Sequence, residues 1–204
     1  MLHFVSLIRA GGAGKCGKLV EVFRGCGIMT GMGINELLSD KTKKPTEKRR
    51  EIAKAVADKT LAVSDFAAAK IEDKNLALIL EALEELSRQN PEVADLSWLK
   101  FAESHLLSPD NNVKREAARI IGNTAHLFPD NLETAVPKLI ENTNNTGTVV
   151  RWSCAYALGK IIAVPKYAQS DLYDKLTALA GKEQMNGNKN QYLNGLKKAD
   201  KLRS

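Results

Sequence analysis

The sequence predicts an all-α fold, an α–α superhelix in which about four to five helix pairs stack side by side. The main observation is a segment that occurs twice, thirty-seven residues apart. Val113-Lys-Arg-Glu-Ala-Ala-Arg-Ile-Ile-Gly122 returns as Val150-Arg-Trp-Ser-Cys-Ala-Tyr-Ala-Leu-Gly159. Each copy follows a turn-rich stretch and continues into an apolar tail that ends at Pro129 or Pro165. A fixed period of this length is typical of helical-repeat arrays.

Composition agrees with this fold class. Apolar residues make up 44% of the 204 residues and aromatic residues only 5%, which indicates a helical core of Ala, Leu, Ile and Val.

We divide the chain into a glycine-rich leader, residues 1–32, and a helical repeat domain, residues 33–204. The leader has no sustained helical period. We therefore expect it to be unstructured or a spurious extension, with Met29 or Met32 as the natural start.

The repeat period places the second helix of each pair. A degenerate copy covers 46–56 and opens with Pro45 at a helix start. The copy before Val113 begins at Leu76, and its apolar residues recur at helical spacing, which leaves Glu84 and Glu85 on the opposite, exposed face. The remaining helices, including a closing pair, are predicted at 34–39, 61–71, 96–107, 131–142, 170–183 and 188–201.

Small residues recur inside the second helices, at Ala117, Ala118, Gly122, Ala155, Ala157 and Gly159. They predict that neighbouring second helices approach closely, which long side chains would prevent. Ile121 and Leu158 are equivalent inward positions in the thirty-seven-residue register. Burying a large apolar side chain contributes roughly 1.5–3 kcal/mol, and only stacking of successive units provides that burial.

The repeated segments resemble HEAT repeats, within the broader armadillo-like superhelix group. The resemblance is carried by Leu107-Ser-Pro-Asp-Asn-Asn-Val-Lys114, Val136-Pro-Lys-Leu-Ile140 and Val149-Val-Arg151. In that family a proline often kinks the first helix, an aspartate lies in the turn, and a Val-Arg pair opens the second helix. Pro137, Asp110 and Val150-Arg151 match this pattern, whereas Lys114 replaces the arginine in its unit. The match is strong for 96–163 and looser for 34–95 and 166–201.

The resemblance implies a right-handed superhelix whose inner, concave surface is lined by the second helices. It also implies that Arg151 pairs with carbonyls or carboxylates of the turn. Repeat alignment then brings three sets of residues to equivalent places on the concave surface. These sets are Arg50, Leu78, Arg115 and Trp152; Lys54, Ala82, Arg119 and Tyr156; and Asp58, Leu86, Asn123 and Lys160.

Five of these residues form the candidate partner-binding site: Arg115, Arg119, Trp152, Tyr156 and Lys160. Aromatic planes interleaved with cationic groups can stack on bases or bind phosphates and carboxylates. Each residue also has an ordinary structural interpretation. Arg115 and Arg119, beside Glu116, are expected on a solvated face, and Trp152 is expected to complete a core.

An enzyme is not expected, because the required groups do not cluster. His3, His105 and His126 are scattered, with no metal-ligand spacing and no Ser–His–acid arrangement. Cys154 lies among small residues in a predicted helix, which is typical of an inert core thiol. We expect no catalytic residue, no metal and no cofactor.

Three cysteines without metal-ligand spacing favour a reducing compartment, the cytoplasm, and no apolar run approaches the roughly 18 residues of a membrane span.

The net charge of +6 is located mainly at the two ends of the chain. Residues 1–28 carry +3, residues 182–204 carry +4, and the body between them carries −1. A positive charge from the two ends is much weaker evidence for nucleic-acid binding than a basic stripe along the body would be. We predict a non-enzymatic scaffold or adaptor that binds another protein on its concave face. The alternative is a nucleic-acid-binding protein that resembles the HEAT-like DNA alkylation-repair glycosylases.

Overall fold

The computed structural model describes residues 31–69 and 71–204, and every regular element in this part of the chain is helical. The α-helices are, in order, α1 Gly31–Ser39, α2 Pro45–Ala57, α3 Val63–Ala68, α4 Asp73–Gln89, α5 Leu96–Ser104, α6 Asn111–Thr124, α7 Ala135–Asn142, α8 Thr148–Ile161, α9 Pro165–Ala168, α10 Leu172–Lys182 and α11 Asn186–Arg203. The all-α prediction is confirmed.

The helices form two layers with the hydrophobic core between them. The second helices α2, α4, α6, α8 and α11 pack against one another in chain order. In the other layer α1, α3 and α5 pack in sequence, while α7 packs on α8 and α10 on α11. The core is continuous from Ile34 to Ala199 and contains Ile121 and Leu158, both fully buried as the repeat register predicts.

Short polar residues determine where several helices begin. Asp95 and Asp110 accept hydrogen bonds from the backbone N–H groups of Ser97 and Asn112, at 2.8 and 2.7 Å, and so cap α5 and α6. Pro45 is the first residue of α2, as predicted, where a missing N–H costs no intrahelical hydrogen bond. The turn aspartate of the HEAT-like pattern is thus a helix cap in this chain.

Three first helices are shorter than the predictions at 61–71, 96–107 and 131–142. The structure has α3 at Val63–Ala68, α5 at Leu96–Ser104 and α7 at Ala135–Asn142. The helix predicted to begin at residue 131 begins at Ala135, because Pro129 opens a separate 3-10 turn over Pro129–Asn131. Pro129 therefore does more than end the preceding apolar segment. Pro165 likewise opens α9, since its fixed φ suits the first position of a helix.

Pro137, expected to kink the first helix, is the third residue of α7. The first four N–H groups of a helix have no partner within it, so a proline at this position removes no hydrogen bond.

The predicted leader, residues 1–32, lies outside the described residues except for Gly31 and Met32, which belong to α1. Its expected lack of structure therefore remains a prediction.

Close approach of the second helices depends on glycine, as predicted. A Cβ atom placed on Gly122 would lie 2.9 Å from Cα of Ala157 on α8. A Cβ atom on Gly159 would lie 2.5 Å from the carbonyl oxygen of Gln191 on α11. Real Cβ atoms do not approach this closely, so these helix contacts need positions without side chains.

We predict that Lys59→Gly stabilises the protein by about 0.5–1 kcal/mol, because Lys59 has a left-handed backbone with φ of 58°. The N–H groups of Lys59 and Thr60 bond back to the carbonyls of Val56 and Ala55, the pattern of a glycine-terminated helix. Urea unfolding measures the change. Arg50→Gly, in the exposed middle of α2, is the control and should lose about 1 kcal/mol. Destabilisation by Lys59→Gly would contradict the prediction.

Within the described residues, the longest helices are too short or too polar to cross a lipid bilayer.

Candidate interaction surface

Three predicted site residues on α8 form one continuous group. Trp152, Tyr156 and Lys160 are spaced four residues apart and therefore share one side of the helix. The Trp152 and Tyr156 rings stack with centroids 5.6 Å apart and planes inclined by 9°. The ammonium group of Lys160 lies 5.4 Å from the Tyr156 centroid, within the range of a cation–π contact. Both aromatic side chains are partly exposed and Lys160 is exposed.

Tyr156 is held in place by α6 and, through it, by α4. Its ring lies over Gly122, where an added Cβ would approach the ring to 3.0 Å. Its hydroxyl donates a 2.6 Å hydrogen bond to Oδ1 of Asn123, and the Asn123 amide donates to Oγ of Ser87 at 3.0 Å. Burial raises the pKa of Tyr156 above its ordinary value, and Glu84 adds to the effect. The phenol is therefore a fixed, neutral donor at neutral pH.

Arg115 and Arg119 lie on α6 next to this group, but they are not the solvated side chains that were expected. Arg115 contacts Glu81 at 3.2 Å and Glu116 at 2.5 Å. Arg119 contacts Glu84 at 2.7 Å and Glu116 at 3.2 Å. Their side chains are only 27% and 26% exposed. The expectation of a solvated face is wrong here because α4 presents glutamates directly opposite the arginines.

These contacts belong to a larger arginine–glutamate network on α2, α4 and α6. It lines an open cleft of about 320 Å³ and consists of Arg49, Arg88, Arg115, Arg119, Glu81, Glu84, Glu85 and Glu116. Four cations face four carboxylates, so the formal charge of the cleft is zero. The network joins the second helices of three successive pairs. Arg49 on α2 contacts Glu81 and Glu85 on α4. Arg115 and Arg119 on α6 contact Glu81 and Glu84 on the same helix α4.

Glu84 differs from its predicted place on the exposed face of α4, because it is only 6% exposed. Burial raises its pKa above the ordinary carboxyl value, although the Arg119 guanidinium acts in the opposite direction. Glu116, which was expected beside two solvated arginines, is also buried. Helical spacing places these residues away from the main apolar side, but the neighbouring helix covers them.

We predict that Arg119→Ala destabilises the protein by about 2 kcal/mol, because it removes the closest cation from buried Glu84 and one of the two cations that contact buried Glu116. Glu84 keeps only the longer 3.4 Å contact with Arg88, and Glu116 keeps Arg115. The value is below that of a fully buried pair because part of the Arg119 side chain is exposed to water. Denaturant unfolding at pH 7 measures the loss. Lys54→Ala removes a pair that is exposed on both sides and should change stability little. Equal effects of the two substitutions would contradict this account.

The structure adds one residue to the surface that the sequence did not indicate. Partial burial lowers the pKa of Lys160, and repulsion by Lys198 on α11 adds to the effect. At the other end of α11, a Cβ placed on Gly187 would lie 4.0 Å from the Trp152 ring. The sequence shows that the C-terminal segment is basic, but it does not show how α11 aligns with α8.

Other predicted residues have structural roles. Arg151 donates to the backbone carbonyls of Asn145 and Thr146, at 2.9 and 3.2 Å, and lies 3.5 Å from Glu183. This confirms its predicted role in the turn. Cys154 is fully buried, and burial raises its pKa to about 12, so the thiolate that reacts is suppressed. In the described part of the chain no three His, Cys, Asp or Glu residues are grouped to hold a metal ion.

Comparison with known proteins identifies the fold and no family. No family model matches this sequence, and no curated protein matches it. The structure is similar to the crystal structure of an engineered protein, a Northeast Structural Genomics Consortium target. The two are 16% identical, the match covers 84% of this chain and 81% of that chain, and the TM-score is 0.61. At this level of identity, what the two chains share is an all-helical fold.

Proposed function

We propose that this chain is a HEAT-like, right-handed superhelix that acts as a non-enzymatic scaffold or adaptor. In this proposal another protein binds on the concave face formed by the second helices. The observation that carries the proposal is the stacked Trp152–Tyr156 pair, partly exposed beside the Lys160 ammonium group. Tryptophan, tyrosine and arginine are the residues that most often carry interface energy.

The way in which the aromatic pair is held supports this role. Tyr156 is fixed by its hydrogen bond to Asn123 and by its contact with Gly122. Binding of a partner to the Tyr156 ring therefore costs this chain little side-chain entropy, and such ordering is a main cost of forming an interface. Trp152 and Tyr156 would supply apolar contact area, and Lys160 would supply charge. Arg115 and Arg119 would contribute the partly exposed edges of their guanidinium groups while holding the cleft in shape.

The proposal is tested by capture from a nuclease-treated lysate of the source cells with immobilised wild-type protein and two variants. Trp152→Ala should reduce the amount of the main captured protein several-fold, because it removes half of the stacked pair. Leu107→Ala, an exposed apolar residue in the turn between α5 and α6, is the control and should bind like the wild type. Circular dichroism verifies that both variants are folded. Equal capture by all three proteins would refute a role for this surface.

A nucleic-acid-binding function is the second candidate, and one observation favours it. Lys160 lies beside the stacked aromatic planes and Lys198 is on the neighbouring helix α11, a combination that can bind single strands through base stacking and phosphate contacts. The arginine–glutamate cleft does not extend this basic surface, because its charges are balanced. Salt titration separates the candidates. Several phosphate contacts make affinity fall steeply with salt, by roughly tenfold or more over a few-fold change, whereas a mixed protein interface loses less.

A further inference from the structure

The lysines beside the aromatic pair have no acidic partner in the described part of the chain. Neither Lys160 nor Lys198 lies within 4.0 Å of a carboxylate there, whereas Arg115, Arg119 and Arg151 each pair with at least one glutamate. Lys198 acts on Lys160 by repulsion. Lys160 follows Gly159 on α8, and Lys198 lies one turn after Gly195 on α11. A Cβ placed on Gly195 would be 2.5 Å from the Cα of Gly159, so the two cations lie on adjoining turns of two packed helices, without an acidic partner. Repulsion of this kind is relieved when an anion binds between the two groups.

The neighbouring part of the same face has a different charge pattern. On α4, Glu81 and Glu85 remain 31% and 38% exposed at the rim of the arginine–glutamate cleft. The face therefore passes from an uncompensated positive area at α8 and α11 to a neutral, acidic-rimmed area at α4 and α2. The Trp152–Tyr156 pair lies in the positive area, with Tyr156 next to α6 and Trp152 next to the start of α11.

On the basis of the function proposed above, we infer that the partner presents an acidic segment with a nonpolar side chain. Its carboxylates would pair with Lys160 and Lys198, and the nonpolar side chain would pack on the Trp152–Tyr156 rings. We call these four residues the α8–α11 surface. A carboxylate placed between two lysines gains two favourable contacts, and the aromatic rings next to them supply the apolar contact that makes such a site selective.

This surface fits an acidic protein segment better than a nucleic acid. A nucleic-acid strand carries a charge on every nucleotide and gains affinity only where the protein remains basic along its path. A strand that leaves Lys160 toward α4 meets Glu81 and Glu85, and the arginines between them are already paired. A polypeptide does not have this restriction, because its charged residues can be confined to the part that faces the two lysines.

The experiment uses a displayed library of random twelve-residue peptides and the full chain as the immobilised target. We expect the enriched peptides to contain several Asp or Glu residues together with at least one Trp, Phe or Leu. A labelled copy of the most enriched peptide is then measured by fluorescence anisotropy. Lys160→Glu and Lys198→Glu should each weaken its binding by about fivefold or more, since each places a carboxylate where the peptide presents one. Lys100→Glu makes the same charge change at an exposed position on α5 and should have little effect.

The outcomes separate this inference from the function on which it rests. Peptides that lose binding in Trp152→Ala but are not enriched in Asp or Glu would overturn the acidic inference and leave the protein-binding function intact. Failure to enrich any peptide, or equal binding to wild type, Lys160→Glu and Lys198→Glu, would also overturn the inference. A mixed-sequence single-stranded oligonucleotide of matched length is the second probe. Tighter binding of that oligonucleotide, lost in Lys160→Glu, would overturn both proposals in favour of nucleic acid.

Discussion

Replacement of Ile121 by alanine is expected to lower the free energy of unfolding by about 2–5 kcal/mol. Ile121 is fully buried on α6, the helix that packs against α4, α5 and α8 at the centre of the stack. Removing its branched side chain takes apolar surface out of the core and leaves a cavity that these helices cannot close without moving. Urea titration, with the slope checked against the wild type, measures the loss.

Two substitutions control this result. Ile121→Val removes a single methyl group at the same place and should cost about 0.5–1.5 kcal/mol. Val149→Ala removes an apolar group that is 56% exposed and should change stability little. If Ile121→Ala unfolds at nearly the wild-type urea concentration, α6 does not face the core in the register that the repeats predict.

Gly159→Ala is expected to destabilise the protein by about 3 kcal/mol, through crowding of backbone atoms rather than through a cavity. The added Cβ would lie 2.5 Å from the Gln191 carbonyl oxygen, so α11 must move away from α8. Gly195 lies opposite and is equally close to Gly159. Hydrogen exchange should therefore increase in α11 more than in α4 or α6, because the change separates the closing helix pair from the stack.

Gly181→Ala is the matched control, since Gly181 also lies in a helix but has open space around it. It should gain about 0.5–1 kcal/mol, because alanine replaces glycine inside a helix without a clash. Both substitutions change helix propensity in the same way. If Gly159→Ala lowers the free energy of unfolding and Gly181→Ala raises it, the difference is therefore due to the contact between α8 and α11. Similar effects of the two substitutions would show that α8 and α11 are not held together through Gly159.

The network of arginines and glutamates links stability to the candidate site. Arg119 holds Glu84 and Glu116, and the same helix surface supports Tyr156 through Asn123. A substitution at Arg119 is therefore expected to weaken folding as well as any contact with a partner. Lys160 and Lys198 are better positions for testing binding, because neither takes part in an ion pair within the described residues.

The sequence alone determined the all-α fold class, the order of the helices and much of the core. The thirty-seven-residue period placed Ile121 and Leu158 in equivalent buried positions, and it identified Gly122 and Gly159 as points of close approach. It also placed Trp152, Tyr156 and Lys160 on one side of α8. These properties follow from local periodicity, since a helix turns by a constant angle per residue and its neighbours in a repeat array are its neighbours in sequence.

Only the tertiary structure decided which polar residues face another helix and which face water. Glu84 and Arg119 have the spacing of exposed residues, yet they pair with each other between the adjacent helices α4 and α6, which buries Glu84 and partly covers Arg119. The position of Lys198 beside Lys160 likewise depends on the way α11 packs against α8, and α11 does not continue the repeat sequence. Helical periodicity describes one helix at a time, whereas charge pairing and exposure depend on the distance and rotation between helices, which only packing establishes.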